Sequence, residues 1–286
     1  MISNKKNEYL CTIFLLTYNH ETTIRKTIES ILAQKTQYPF IVKILEDCST
    51  DKTLNICKEY VEKYPDLFKL IAQPVNTKGE HSRWAKEKEI NSPYWTTIEG
   101  DDWYLNELYF EKSLSFMESH KNYSCYCGDV LFGKIGENNS WSCVIDEQNK
   151  TYDTIGHELS FKNYVYIHPG ARMYRNIFDF KKLKKIPLKD IYLWYLYLDR
   201  GKVFFEHEIM SQYNINPAGM WNKNTTEQKL KIQINSAIVC NEFFKYKYAK
   251  FFAKQIHDPK LKKLKKYFRY KIAMWIYTKT YKKENK

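Results

Sequence analysis

Two short acidic runs, Glu46-Asp47 and Glu99-Gly100-Asp101-Asp102, are the residues best equipped for chemistry in this sequence. Carboxylates one and two residues apart offer the hard oxygens that Mg2+ and Mn2+ prefer, but too few to complete a coordination shell. Substrate phosphates and water commonly supply the remainder. A diphosphate is therefore the natural complement, because without a cation these acids would repel it. The plainer alternative is a solvated acidic turn ahead of a helix near Asn106. Glu46-Asp47 leads into Cys48-Ser49-Thr50-Asp51. A carboxylate there can accept a hydrogen bond from a base N–H or a ribose hydroxyl. Ser49, Thr50 and Asp51 have the composition of a helix N-terminus.

The elements that must hold these acids follow from hydrophobic patterning. Residues 10–16 (LCTIFLL) and 40–45 (FIVKIL) are short apolar runs of the kind found in buried parallel strands. Residues 68–72 and 94–98 read as two more strands. Between them, apolar residues recur at helical spacing over 23–34, capped by Thr22, and over 52–63, capped by Ser49 or Thr50. Residues 78–91 are a polar helical or loop segment, and 106–120 is a helix. Strand and helix alternate through the first 120 residues, which predicts right-handed crossovers and a mostly parallel sheet. Ligands of such sheets bind beyond the carboxyl ends of the strands. Thr17-Tyr18-Asn19, Glu46-Asp47 and Glu99 to Asp102 all fall at those ends. Farther on, 123–132 and 203–205 read as strands, 189–199 as an aromatic-rich helix, and 227–254 and 260–281 as helices.

With 286 residues, 43% of them hydrophobic, the chain can bury a substantial core. No run of 18 apolar residues occurs, so no membrane-spanning helix is expected. The apolar run at 10–16 leads into Thr17-Tyr18-Asn19-His20 rather than a small-residue cleavage site, which predicts a cytoplasmic protein. Seven cysteines without a CxxC pair read as buried free thiols. Residues 258–286 hold eleven basic residues against two acids, nine of the thirteen net positive charges. The body is nearly balanced, which argues against a nucleic-acid partner.

The order of these motifs resembles the inverting glycosyltransferases of family 2. It runs Thr17-Tyr18-Asn19-His20, Ser30-Ile31-Leu32-Ala33-Gln34, Glu46-Asp47-Cys48-Ser49-Thr50-Asp51, Asn76 and Gly79, then Glu99-Gly100-Asp101-Asp102-Trp103. The resemblance is clear over residues 9–120 and fainter through His168 to Arg175, Lys189-Asp190 and Tyr213 to Trp221. It implies a GT-A fold, a Rossmann-like, mostly parallel central sheet with flanking helices, here with a C-terminal helical extension. On that reading 1–222 is the transferase domain, with 1–120 its nucleotide-sugar half and 121–222 its acceptor half. Residues 223–286 form a basic helical region. The resemblance assigns Thr17, Tyr18 and Asn19 to the nucleotide, Glu46 and Asp47 to base and ribose, Asp101 to ribose or metal, and Asp102 to a Mn2+ or Mg2+ ion. Glu46 and Glu99 stand where the family usually has Asp. Lys78 and Arg83 suit neutralising the diphosphate, with a solvated polar face as the alternative.

The resemblance also implies a carboxylate base ahead of a helix. Asp190 occupies that place; capping its helix is the alternative role, and Asp129 and Glu206 stand in reserve. The family's Arg and His near the end of this domain are replaced by Asn214 and Asn216, which predicts a looser metal site leaning on Asp102. Trp221 reads as a cover for the donor or a platform for a sugar ring, with core packing as the alternative. His168 reads as an acceptor contact or a structural histidine. The expected substrates are a nucleotide-diphosphate sugar, a UDP-sugar, and a hydroxyl of a surface polysaccharide or lipid-linked glycan. Residues 260–283 pattern as a basic amphipathic helix, fit to rest on an anionic membrane at its inner face. Packing on the catalytic domain, a dimer contact or general lysine enrichment are the alternatives. Two competing functions are a sugar-phosphate nucleotidyltransferase, which lacks its Gly-rich loop here, and a non-catalytic nucleotide-sugar-binding module at the membrane.

Overall fold

The structure is a computed structural model that describes residues 8–133, 142–143, 157–162, 164–183, 189–216, 219 and 223–255. Four parallel strands, β1 (Cys11–Thr17), β2 (Phe40–Glu46), β3 (Phe68–Ala72) and β4 (Tyr94–Glu99), lie in the order β3-β2-β1-β4. Helices α1 (Ile24–Leu32), α2 (Thr53–Lys63) and α3 (Glu80–Lys88) make the crossovers. Cys11, Ile13, Phe14 and Leu15 of β1 are all buried, so both faces of the strand are covered and the apolar run need not alternate.

The chain continues through β5 (Trp103–Tyr104), α4 (Tyr109–Ser119), β6 (Tyr123–Gly133), β7 (Ser142–Cys143), β8 (His157–Leu159) and β9 (Arg172–Arg175). It ends with α5 (Asp190–Arg200), β10 (Lys202–Asn214), α6 (Thr226–Phe243) and α7 (Ala249–Gln255). Beyond β4 the sheet order is β9-β6-β10-β5. β9 is antiparallel to both β4 and β6, while β6 and β10 are parallel to each other. The six strands of the main path other than β9 and β5 thus point one way. Reversal of β9 brings the residues ahead of it, His168 and a 3-10 turn at Pro169–Ala171, to the rim where β4 ends.

Aromatic residues fill the seam between the halves. Trp95 of β4 stacks on Tyr174 of β9 at 4.5 Å and donates to the Tyr197 hydroxyl of α5, which donates to the Arg175 carbonyl. The patterning over 227–254 predicts one helix. Two helices are found instead, because Lys245 and Tyr246 adopt positive φ. The break turns α7 back so that Phe252 meets Tyr195 at 5.1 Å and Tyr248 stacks on Phe161 at 3.8 Å. The strand expected over 203–205 extends through β10 for thirteen residues, carried past Glu206 by bulges in its pairing with β6. Cys11, Cys57, Cys125, Cys127 and Cys240 are buried free thiols, as expected. Among the described residues no helix is long and apolar enough to cross a membrane. The basic segment 260–283 lies outside the described residues.

Candidate active site

The carboxyl ends of β1, β2, β4 and β10 meet at one rim. After β1, Asn19 takes a positive φ and ties two loops together. Its backbone N–H donates to Ser49 Oγ, and its Oδ1 accepts from the Thr50 N–H at 2.8 Å. Ser49 and Thr50 are occupied in this way and leave α2 without a side-chain cap; Asp51 Oδ1 accepts from the Thr53 N–H instead. Tyr18 is exposed on the rim and Thr17 is buried beneath it.

Glu46 is fully buried at the end of β2. Its Oε1 accepts from the Ser49 N–H at 2.7 Å and its Oε2 from the Cys48 N–H at 3.2 Å, so the carboxylate folds into its own turn. Asp47 does the same across a longer span. Oδ1 accepts from the Thr77 N–H and hydroxyl at 2.8 and 2.7 Å, and Oδ2 from the Gly79 N–H at 3.1 Å. Burial works to raise the Asp47 pKa, but these donors outweigh it and hold the carboxyl below the usual range. The 77–79 turn, with Lys78 and Gly79 both at positive φ, is thereby clamped beside the rim. Lys78 is exposed there, and Arg83 on α3 is engaged by Glu87 at 2.9 Å.

The loop after β4 is held by α1. Thr23 and Thr27 of that helix both donate their hydroxyls to the Gly100 carbonyl, at 2.9 and 3.0 Å. The helix starts after Thr23 rather than the expected Thr22, and no side chain caps it. A Cβ on Gly100 would lie 2.6 Å from His20 Nδ1 and 2.7 Å from Thr17 Oγ1, so only glycine fits. Asp101 and Asp102 follow, 7% and 1% exposed. Asp102 Oδ1 accepts from the Asn214 N–H at 2.9 Å, but Oδ2 has no hydrogen-bond partner, and neither does Asp101 Oδ1. Asp101 Oδ2 lies 3.6 Å from His20 Nε2 and 3.4 Å from Asn216 Nδ2. Burial, then Glu99 and Asp101, push the Asp102 carboxyl well above its ordinary range. Burial, Asp101 and Asp190 raise Glu99 to about 8.

Two buried carboxylate oxygens without donors are the arrangement that a divalent cation would complete, so these residues fit such an ion. Among the described residues no three His, Cys, Asp or Glu side chains group to hold one. Substrate phosphates and water commonly supply the remaining oxygens of such an ion.

Residues from the second half of the chain close over this loop. His168 Nδ1 lies 3.8 Å from Asp102 Oδ2, and its ring packs on Tyr213 at 4.3 Å. Burial and the nearby Arg172 lower the His168 pKa to about 3, so the ring is neutral near pH 7. Asp190 opens α5, close enough to Glu99 to raise its pKa. Asp129 lies in β6 with Oδ1 on its neighbour's N–H, and Glu206 accepts from the Tyr126 hydroxyl among the aromatics packed on α4. Trp221 falls outside the described residues. Sequence reasoning passed over His20, Lys86 and Arg172. Lys86 is buried on α3, its pKa lowered to about 8 by burial with Asp190 acting against that shift. Its only signal was a lysine beside Ala85 on the inward face of an otherwise polar helix.

The family model for glycosyl transferase family 2 matches residues 12–179. An uncharacterized protein of Mycobacterium tuberculosis, Rv1520, is 25% identical over 225 residues, covering 76% of this chain and 62% of its own. The chain thus spans about three-fifths of the length of such relatives. Among solved structures, Staphylococcus aureus TarS 1-349 in complex with UDP-GlcNAc superposes with a TM-score of 0.56 at 18% identity, over 86% of this chain and 71% of that one. The mannosyltransferase PcManGT from Pyrobaculum calidifontis, in complex with GDP-Man and Mn2+, gives 0.54 at 13% identity, over 88% and 66%. Both likenesses show the fold.

Proposed function

The chain belongs to glycosyl transferase family 2, and from that premise we propose that it transfers a sugar from a UDP-sugar to a glycan hydroxyl with inversion at the anomeric carbon. The observation that carries this reading is the pair of donorless buried oxygens, Asp101 Oδ1 and Asp102 Oδ2, at the rim of a parallel sheet. Asp102 and Asp101 hold a Mn2+ or Mg2+ ion, which when bound supplies positive charge to the departing diphosphate. His20 and Asn216 keep Asp101 turned toward the ion. Tyr18 and Thr17 line the nucleotide's approach. Asp47 fixes the 77–79 turn, and its Oδ2, which takes one donor, retains room for a base N–H. Exposed Lys78 meets phosphate charge. Asp190 removes the proton from the acceptor hydroxyl as it attacks the face opposite the diphosphate, a role typically worth about 10²–10⁴-fold. His168, neutral, offers the acceptor a hydrogen bond beside Asp102.

TarS in complex with UDP-GlcNAc supports a UDP-sugar donor, and PcManGT in complex with Mn2+ supports a divalent ion. The acceptor reading, a surface polysaccharide or lipid-linked glycan, and the role of residues 260–283 as a foot on an anionic membrane rest on sequence. Calorimetric titration of UDP into the protein tests the site. Affinity should rise at least about tenfold with Mn2+ over EDTA; equal binding in both would remove the metal role of Asp101 and Asp102.

A further inference from the structure

We propose that Arg172 is the positioning residue for Asp190: its guanidinium pins the first residue of α5 to β9 and to the segment leading to His168. The inference rests on Asp190 as the base. Arg172 is completely buried. One terminal nitrogen donates to the Asp190 carbonyl at 3.1 Å and to the Tyr174 hydroxyl at 3.0 Å. The other donates to the Ile167 carbonyl. The guanidinium carbon lies 4.4 Å from the Trp194 ring and 4.9 Å from the Tyr166 ring. One side chain thus joins three pieces of the acceptor side: β9, the segment leading to His168, and the start of α5.

Core packing alone does not account for this choice of residue. Burying a guanidinium is costly unless an opposite charge answers it. No carboxylate oxygen among the described residues lies within 4 Å of it, and Nε has no hydrogen-bond partner. Asp190 is the acid whose charge it feels. The groups facing Asp190 are Glu99 from β4, Lys86 from α3, Arg172 and the Tyr174 phenol from β9, and the Tyr166 phenol from the preceding segment. The two cations among them differ in what they grip. Lys86 Nζ hydrogen-bonds only within its own helix, to Ser82 Oγ at 2.5 Å and the Ser82 carbonyl at 3.5 Å. Among the described residues, Arg172 alone combines charge with a hydrogen bond to the backbone of α5.

Turnover and amide exchange, measured on the whole chain, test this. In Arg172→Met, turnover read as UDP release should fall at least about tenfold with UDP affinity unchanged, since a catalytic group displaced by about 1 Å loses that much or more. Amide exchange at Tyr192 and Leu193, whose N–H groups bond the Lys189 carbonyl, should quicken about tenfold, with α6 unchanged. Arg172→Lys keeps the charge but not the three-way grip, so turnover should fall and exchange quicken there as well. A folded Arg172→Met protein with both readouts unmoved overturns the inference. If Arg172→Met does not fold, unchanged exchange in Arg172→Lys overturns it. The reading of Asp190 as base fails separately, if Asp190→Asn keeps its turnover.

Discussion

Glu46-Asp47 and Asp101-Asp102 flank β1 on either side, at the ends of β2 and β4, and look alike in the sequence. Their surroundings are opposite. All four oxygens of the first pair accept a backbone N–H, from Ser49, Cys48, Thr77 and Gly79, so burial there is compensated and Asp47 stays readily ionised. The second pair has two oxygens with no donor and a carboxyl raised far from its ordinary range. Buried acids supplied with donors build a loop; buried acids denied them store an affinity for positive charge.

The largest effect that can break this contrast is on turnover. Asp102→Asn should lower transfer about 10³-fold, the several kcal/mol a metal ligand contributes to transition-state charge, measured by UDP release. In EDTA the same variant should melt no lower than the parent, since it removes an uncompensated charge. A clear drop in Tm would mean that Asp102 serves the fold, as Asp47 does. Next in size, Asp47→Asn should cost about 1–3 kcal/mol in urea unfolding, because an amide NH2 would face a backbone donor at Thr77 or Gly79. An unchanged midpoint would erase the difference between the clusters.

The smallest effect is on pH dependence. Glu99, raised to about 8, favours its neutral form in the folded protein. Its contribution is therefore fully present below the ordinary carboxylate pKa and is lost as pH rises toward 8. Asp47, lowered, contributes above the ordinary range and loses that contribution as pH falls. Urea melts in EDTA should show stability declining from about pH 5 to 8, with Glu99→Gln flattening the decline. A decline that survives in the variant would assign it to another group.

The parallel half of the fold was legible because its strands are continuous apolar runs, each ending at a polar cluster, and because strand and helix alternate. The acidic loop after β4 was legible for the same reason. What each carboxylate does was not, since Glu46 and Asp101 are distinguished only by which backbone N–H groups turn toward them. Thr22 and Ser49 or Thr50 were expected as caps, and neither helix has a side-chain cap; the partners that Ser49 and Thr23 take instead, Asn19 and Gly100, lie 30 and 77 residues away. Reversal of β9 left no trace in four residues of pattern, and the burial of Lys86 and Arg172 depends on contacts no local window contains.

Because β9 runs against both of its neighbours, the residues ahead of it reach the rim where β4 ends. Lengthening the connection between β6 and β9 by half again would add only a few tenths of a kcal/mol in closure entropy. That side of the rim can therefore change length cheaply, while the Asp101-Asp102 loop stays fixed by the Thr23 and Thr27 hydroxyls.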